Sequence, residues 1–390
     1  MRIVLFTGKG GVGKTTVASA TALKIAASGA KTLVMSTDPA HSLADAFGVE
    51  LGDTPIEVAP NLWAEEIDAQ RRLEDNWRDL QDHAVAVLNW AGLEGIEAEE
   101  LAILPGLDEV FSLADVKTHH DNGPYDVLIV DCAPTGETLR LLSLPDIIQW
   151  YMERIFPVER RVMGVLRPVA KRVTSLPLPD ENVYAAIKRF YDKLEGVRRV
   201  LTDGATTSIR LVVNPERMVI AEAMRTFTYL NLFGYRVDAI VANRLLPEQV
   251  TDSYFDRWKE LQGHHLDTIR EAFSPVPILT AELRDQELLG AGLLAGLGDE
   301  LYGTDDPSRV LFEDDPMTIS KAGDDYLLCL RLPFARKETL EVSTKGDELF
   351  VKVGPYRRTI MLPKVLSSRR LEAAKLREDR LEIKFVRGVG

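Results

Sequence analysis

Cysteine is nearly absent from this sequence. Its 390 residues hold two, Cys132 and Cys329, far apart and with no C-x-x-C pair. A disulfide framework and a thiolate zinc cluster are both excluded on that count. Long apolar runs are missing too: none approaches the roughly 18 residues of a membrane-spanning helix. Net positive charge is lacking, with a formal charge of −13. That argues against a general nucleic-acid binder, which needs surplus Lys and Arg to neutralise phosphates. An apolar strand begins at Ile3 and a glycine-rich turn follows at once, so no signal or transit peptide is expected and a cytoplasmic location is.

What remains is a soluble globular composition, 45% hydrophobic and 27% charged. The length suits two or three domains with at least one large core. Charge is unevenly spread. Residues 317–390 carry 16 Lys and Arg against 10 Asp and Glu, leaving 31 basic against 50 acidic residues in the first 316. Two readings of this stand: a basic C-terminal module docked on an acidic body, or two independently solvated surfaces.

Ile3–Phe6 reads as a buried parallel strand, Thr15–Ser28 as a helix ended by Gly29, and Thr32–Met35 as a second strand. Together they form a βαβ unit. Val127–Val130, Ile209–Val213, Ala239–Ala242 and Val276–Leu279 look like further strands of the same sheet, so the fold class is α/β with a mostly parallel sheet. Two stretches are too long for simple crossovers, about 67–118 and 144–206, and both read as helical. In the second, Ile147, Ile148, Tyr151, Met152, Ile155 and Phe156 share one face. Such helices are either ordinary core or a subdomain with an apolar groove for a client. Acidic, proline-bearing text over 305–316 reads as a linker. From 317 to 390 short alternating strands predict a small all-β domain: Tyr326–Leu332, Thr339–Thr344, Leu349–Val353, Arg358–Leu362 and Leu381–Val386. The expected domains are therefore 1–304, carrying the helical insertions, and 317–390.

Gly8-Lys9-Gly10-Gly11-Val12-Gly13-Lys14-Thr15 fits G-x-x-x-x-G-K-[ST] between a strand and a helix, the context a phosphate-binding P-loop requires. Glycines let backbone N–H groups converge on phosphate oxygens, and the helix N-terminus adds its positive dipole end. Lys14 is expected to reach the β- and γ-phosphates of ATP, and Thr15, followed by Thr16, to hold Mg²⁺. Asp131 ends an apolar strand, where a carboxylate reaches the Mg²⁺ shell, through water; a helix N-cap is its other reading. Asn243 ends another strand, and its amide is able both to donate to and to accept from an adenine edge.

With Lys9 included, the loop resembles the deviant Walker A of a distinct P-loop group, in which this lysine contacts the partner subunit's nucleotide. Ser36-Thr37-Asp38-Pro39-Ala40-His41-Ser42-Leu43 resembles switch I of the arsenite-pump and tail-anchored-protein targeting ATPases. Asp131-Cys132-Ala133-Pro134-Thr135-Gly136-Glu137-Thr138-Leu139-Arg140 is similar to their switch II, and Pro105–Glu109 and Val241–Pro247 match further stretches. The resemblance covers about residues 1–300. It implies a homodimeric, Mg²⁺-dependent ATPase, with Lys9 acting across the interface and Asp38 orienting or activating the attacking water. It also implies that Glu216 contacts the partner's nucleotide and that Pro277, Ile278 and Leu279 pack on adenine. A hydrophobic client, plausibly a membrane-protein tail, is the implied partner, so that any membrane contact is made through a client or partner.

The departures are specific. The zinc-binding C-x-x-C of the eukaryotic targeting members is missing, and two scattered cysteines do not make the three-thiolate metalloid site of the best-known pumps. Glu137 stands where switch II usually carries His, and Arg284-Asp285 where a glycine often ends the adenine loop. The C-terminal strands, with Ala373–Leu376, resemble the α-crystallin fold of small heat-shock proteins, which one subgroup of the family joins to the ATPase. Two roles stand for that module, a structural appendage or a client-holding surface. Alternatives for the whole chain are an arsenite- or antimonite-pump motor and a nucleotide-binding holdase.

Overall fold

The computed structural model describes residues 1–38, 42–67, 107–133 and 181–387, with the single residue 85. The chain starts with β1 (Arg2–Thr7), α1 (Lys14–Ala27) and β2 (Thr32–Ser36), the βαβ unit read from the sequence. Then come α2 (Ser42–Phe47), β3 (Ile56–Ala59), β4 (Leu62–Glu66), α3 (Leu107–Asn122), β5 (Val127–Asp131) and α4 (Glu181–Thr202). The ATPase-like part closes with β6 (Thr207–Val213), α5 (Arg217–Leu232), β7 (Val237–Leu245), α6 (Asp256–Phe273), β8 (Ile278–Glu282) and α7 (Ala291–Tyr302).

Eight strands form one sheet in the order β3-β4-β2-β5-β1-β6-β7-β8, parallel except for β3 at its edge. Every residue of β2, β5 and β6 is buried, which is why these strands read as continuous Val/Ile/Leu runs rather than alternating ones. β1 lies between β5 and β6, at the point where chain order switches direction. Ligands of such sheets bind beyond the carboxyl ends of the strands at that switch point, so the loop after β1 occupies the expected place.

The helical expectations are met where they fall on described residues: α3 and α4 pack together, and α4 runs 22 residues. The apolar face at 147–156, the switch II residues 134–140 and Pro39, Ala40 and His41 lie outside the described residues. Among the described residues, no helix is long and apolar enough to cross a membrane.

The last part holds β9 (Met317–Ala322), β10 (Asp325–Arg331), β11 (Leu340–Lys345), β12 (Glu348–Val353), β13 (Tyr356–Met361), a short α8 (Lys364–Ser367), β14 (Arg369–Arg377) and β15 (Arg380–Arg387). They make two antiparallel sheets, β14-β15-β10-β9 and β11-β12-β13. The strands not foreseen are β3, β4, β9 and β14. Five of the six residues of β9 are exposed, so its brief alternation over Met317–Ser320 is matched by no buried face.

This β-domain docks on the C-terminal half of α5. Tyr229 stacks on Tyr356 with ring centroids 4.2 Å apart, and the Arg358 Nη1 donates to the Leu232 carbonyl at 2.5 Å. Phe227 and Phe273 meet Phe334, and the Thr228 hydroxyl donates to the Pro333 carbonyl. The segment 305–316 joins the two parts under restraint. Arg210, fully buried beside Asp238, donates from Nη2 to the Pro307 carbonyl at 2.7 Å, and Asp238 Oδ2 accepts from Leu311 N. Asp314 pairs with Arg331 and Arg380, and Asp315 with Arg236. The acidic text that reads as a linker is thus neutralised by arginines of both parts.

Candidate nucleotide site

The loop from Gly8 to Gly13 is shaped by two steric facts. Gly8 sits so close to β6 that a Cβ there would lie 2.3 Å from the Val212 carbonyl oxygen. Gly13 has φ 91°, a conformation other residues adopt only under strain, and a Cβ there would lie 2.4 Å from Asn243 Nδ2. Gly13 is also the N-cap of α1, and it offers no side-chain cap, while no acidic residue occupies the first turn. The first N–H groups of α1 are therefore left for an external anion, the arrangement a phosphate needs. Lys14 is buried, and its charge helps hold down the pKa of Asp131.

The opposite wall comes from the ends of β2 and β5. Register aligns Ser36 with Asp131 and Phe6 with Asp131, so the three strand ends share one level. The Thr15 hydroxyl donates to Asp131 Oδ2 at 2.6 Å and lies 2.9 Å from the Ser42 hydroxyl. Asp131 is fully buried, and burial pushes its carboxyl up to about 7. Thr15 and Lys14 pull the other way, while the charges of Asp38 and Glu66 push it further up. Its Oδ1 has no hydrogen-bond partner among the described residues; neither have the buried Thr7 Oγ1 and Asn214 Oδ1, at the ends of β1 and β6. Folded proteins seldom leave such groups unpaired without a ligand, ion or water to meet them. Two hydroxyls and a carboxylate form a hard-oxygen set that fits Mg²⁺ and suits neither zinc nor a soft metal.

Asp38 follows β2 by two residues; its N–H donates to Ser36 Oγ at 3.2 Å. The other predicted residues are placed unequally. Asn243 is buried, and its Nδ2 donates to the Val12 carbonyl at 2.8 Å, so this amide braces the P-loop. Glu216 is exposed as the N-cap of α5, on the same sheet edge. Pro277 precedes β8, and Ile278 and Leu279 pair with Ile240 and Val241, below the level of Asn243. The structure does not bring these three to the P-loop; Thr280 to Glu282 are the residues of β8 that flank Asn243.

Three contributors escaped the sequence reading. Glu66 Oε1 accepts from the N–H groups of Leu43 and Ala44 at 2.9 and 2.8 Å and so caps α2. Ser42 joins Thr15 as described. Glu222, on α5, lies 3.6 Å from Lys9 Nζ. Ser42 stands in the switch I-like stretch but was given no role there; Glu66 and Glu222 belong to no spacing pattern, and only the tertiary fold joins them to the site.

Comparison with known proteins agrees with this geometry. Residues 1–303 match the family described as Anion-transporting ATPase, and residues 323–385 match the HSP20-like domain found in ArsA. A protein of Prosthecochloris vibrioformis, provisionally named an arsenical pump-driving ATPase, is 41% identical over 99% of this chain and 96% of its own length. One of Chlorobaculum tepidum with the same provisional name is 40% identical over the same shares. The ATPase GET3C of Arabidopsis thaliana is 30% identical over 76% of this chain and 81% of its own. With a P-loop, a strand-end carboxylate and a C-terminal β-domain all in their expected places, the chain belongs to the ArsA family of ATPases and is an ATP hydrolase.

Proposed function

We propose that this ATPase works as a homodimer that couples Mg·ATP binding and hydrolysis to the uptake and release of a hydrophobic polypeptide client. The observation that carries the dimer is the contrast between two lysines of one loop. Lys14 is buried toward the phosphate cradle, whereas the Lys9 side chain is 37% exposed on its outer rim. On α5, Met218, one turn before the Lys9 counter-ion Glu222, is exposed, and so is the N-cap residue Glu216. An outward cation and an exposed apolar side chain suit a second subunit, where the lysine would stabilise charge on the transferring phosphoryl group.

In this reading the α1 N-terminus, the P-loop amides and Lys14 bind the phosphates. Mg²⁺, when bound, would offset the charge of the phosphates. Thr15 would hold it directly, and Asp131 would hold it through water. Asp38 orients the attacking water by accepting its hydrogen bond. Asn243 keeps the loop in register, with adenine recognition as its further role. Glu216, Pro277, Ile278 and Leu279 are proposed nucleotide contacts on the strength of family resemblance alone.

The client is supported by the helices α3 and α4 of the long insertions and by the resemblance to the targeting ATPases; the pump reading is supported by the names of the bacterial relatives. The scarcity of cysteine supports the client reading. Cys132 is buried beside the P-loop and Cys329 lies in the β-domain, and among the described residues no cluster suited to a metal occurs. The test is ATP turnover with and without arsenite or antimonite, alongside binding of a labelled transmembrane-type peptide. The proposal expects unchanged turnover with metalloid and peptide capture that depends on ATP. Clear metalloid stimulation without peptide capture would replace it by the pump reading. A holdase reading is favoured by one feature, a groove of about 610 Å³ on the β-domain lined by Leu340, Val342, Leu376 and Leu381 together with Lys337, Lys375 and Arg377. Capture indifferent to nucleotide would support that reading instead.

A further inference from the structure

Lys9 has a counter-ion on its own subunit. Glu222 Oε2 lies 3.6 Å from Lys9 Nζ, with the two side chains 30% and 37% exposed. The two ends of this pair are not equally free to move. Lys9 hangs from a glycine-rich turn. Glu222 rises from α5, whose inner face is buried through Val219, Ile220, Ala223 and Phe227. The last turns of that helix are gripped by the β-domain through the Tyr229–Tyr356 stack and the Arg358 bond to Leu232. The carboxylate is the fixed end and the lysine the movable one.

A lysine neutralised by its own subunit delivers little field to a phosphate elsewhere, and a carboxylate next to a triphosphate repels it. We propose that Glu222 is a positioning residue that holds Lys9 back against its own subunit until the partner's nucleotide draws it away. This rests on the reading that Lys9 acts across a dimer. It assigns α5 a double duty: one end sets the resting place of Lys9, and the other end is where the β-domain seats.

The exposure of the pair places its strength among surface ion pairs, which are weak and salt-sensitive. The experiment is steady-state ATP turnover of the full chain as wild type, Lys9→Ala, Glu222→Gln, Glu222→Asp and the double variant Lys9→Ala/Glu222→Gln, at low and high salt. Glu222→Gln is expected to raise kcat about two- to five-fold while KM for ATP changes by less than about two-fold. That gain should shrink at high salt, be absent from Glu222→Asp, and disappear when Lys9 is alanine. An unchanged or slower Glu222→Gln, or an equal gain without Lys9, overturns the proposal. Full turnover by Lys9→Ala would instead remove the cross-subunit role of Lys9 itself. Slowed Lys9→Ala with a silent Glu222→Gln would remove only the role of Glu222.

Discussion

Asp131 uses one oxygen and leaves the other idle: Oδ2 accepts from Thr15 at 2.6 Å, whereas Oδ1 is buried with no hydrogen-bond partner among the described residues. Burial, with the nearby charges of Asp38 and Glu66, raises its carboxyl from 3.8 to about 7 against the pull of Thr15 and Lys14. A folded pKa above the unfolded value means that the native state holds this proton more tightly. The cost of ionising Asp131 is absent below about pH 4, grows as pH rises, and is complete above about pH 7. Without nucleotide and Mg²⁺, Asp131→Asn should therefore gain stability over wild type as pH rises from 5 to 8. Urea unfolding of both proteins at the two values measures this, and a pH-independent difference would refute it. Mg²⁺ competes with the same proton, so Mg·ATP should stabilise wild type more at pH 8 than at pH 6.

Asp38 leaves β2 beside the Asp131 level without joining the Thr15–Asp131 bond. Asp38→Asn should lower kcat on the order of 10²-fold or more, while ATP affinity stays within about three-fold, because orienting water matters to the reaction and not to binding. Phosphate release and fluorescent-nucleotide titration read the two quantities. Hydrolysis near the wild-type rate would withdraw the assignment.

The P-loop tolerates little at Gly13. An alanine there meets both the positive φ and the Asn243 amide at 2.4 Å. Gly13→Ala should lose at least about tenfold in ATP affinity, since the loop must shift off the geometry that cradles phosphate. Isothermal titration would show it, and unaltered affinity would mean the loop relaxes freely.

Docking of the β-domain on α5 gives a stability prediction. Tyr356→Ala removes the ring stacked at 4.2 Å on Tyr229 and edge-on to Phe233. It should destabilise the chain by about 1–3 kcal/mol and speed proteolysis within 303–323. Unfolding midpoints and limited trypsin digestion measure both; an unchanged protein would mean that the seam is incidental.

The parts of this fold that were legible are local ones. β1, the P-loop and α1 are consecutive, and glycines at forced positions announce them. Strands β2, β5, β6 and β7 are legible because burial on both faces leaves each a run of apolar residues, Leu33–Met35, Val127–Val130, Leu211–Val213 and Ala239–Ala242. β9 and β14 were not: five of the six residues of β9 are exposed, and the partly buried Leu371, Ala373 and Leu376 of β14 stand among Arg, Glu and Lys. The candidate site residues that stood out in the sequence lie at or near the carboxyl ends of strands: Asp131 ends β5, Asp38 follows β2 by two residues, and Asn243 stands two residues before the end of β7. The site was not legible where the fold alone makes the contact. Glu66 reaches α2 from another strand, Glu222 reaches Lys9 from a helix more than 200 positions away, and Asn243 braces Val12. Nor could the sequence place the basic C-terminal module; arginines on both parts meeting Asp314 and Asp315 hold its connection to the body.

The central claim is that Lys9 acts on the partner's nucleotide, and mixed dimers test it most directly. Lys9→Ala and Asp38→Asn proteins should each be slow alone. Unfolded or dissociated together and reassembled, half of the dimers pair one of each. In these, the Lys9→Ala subunit keeps Asp38 and receives Lys9 from its partner. Turnover should then recover to about a quarter of wild type, one competent site in each mixed dimer. No recovery above the two parents, with mixed dimers demonstrated by mass, would contradict the account.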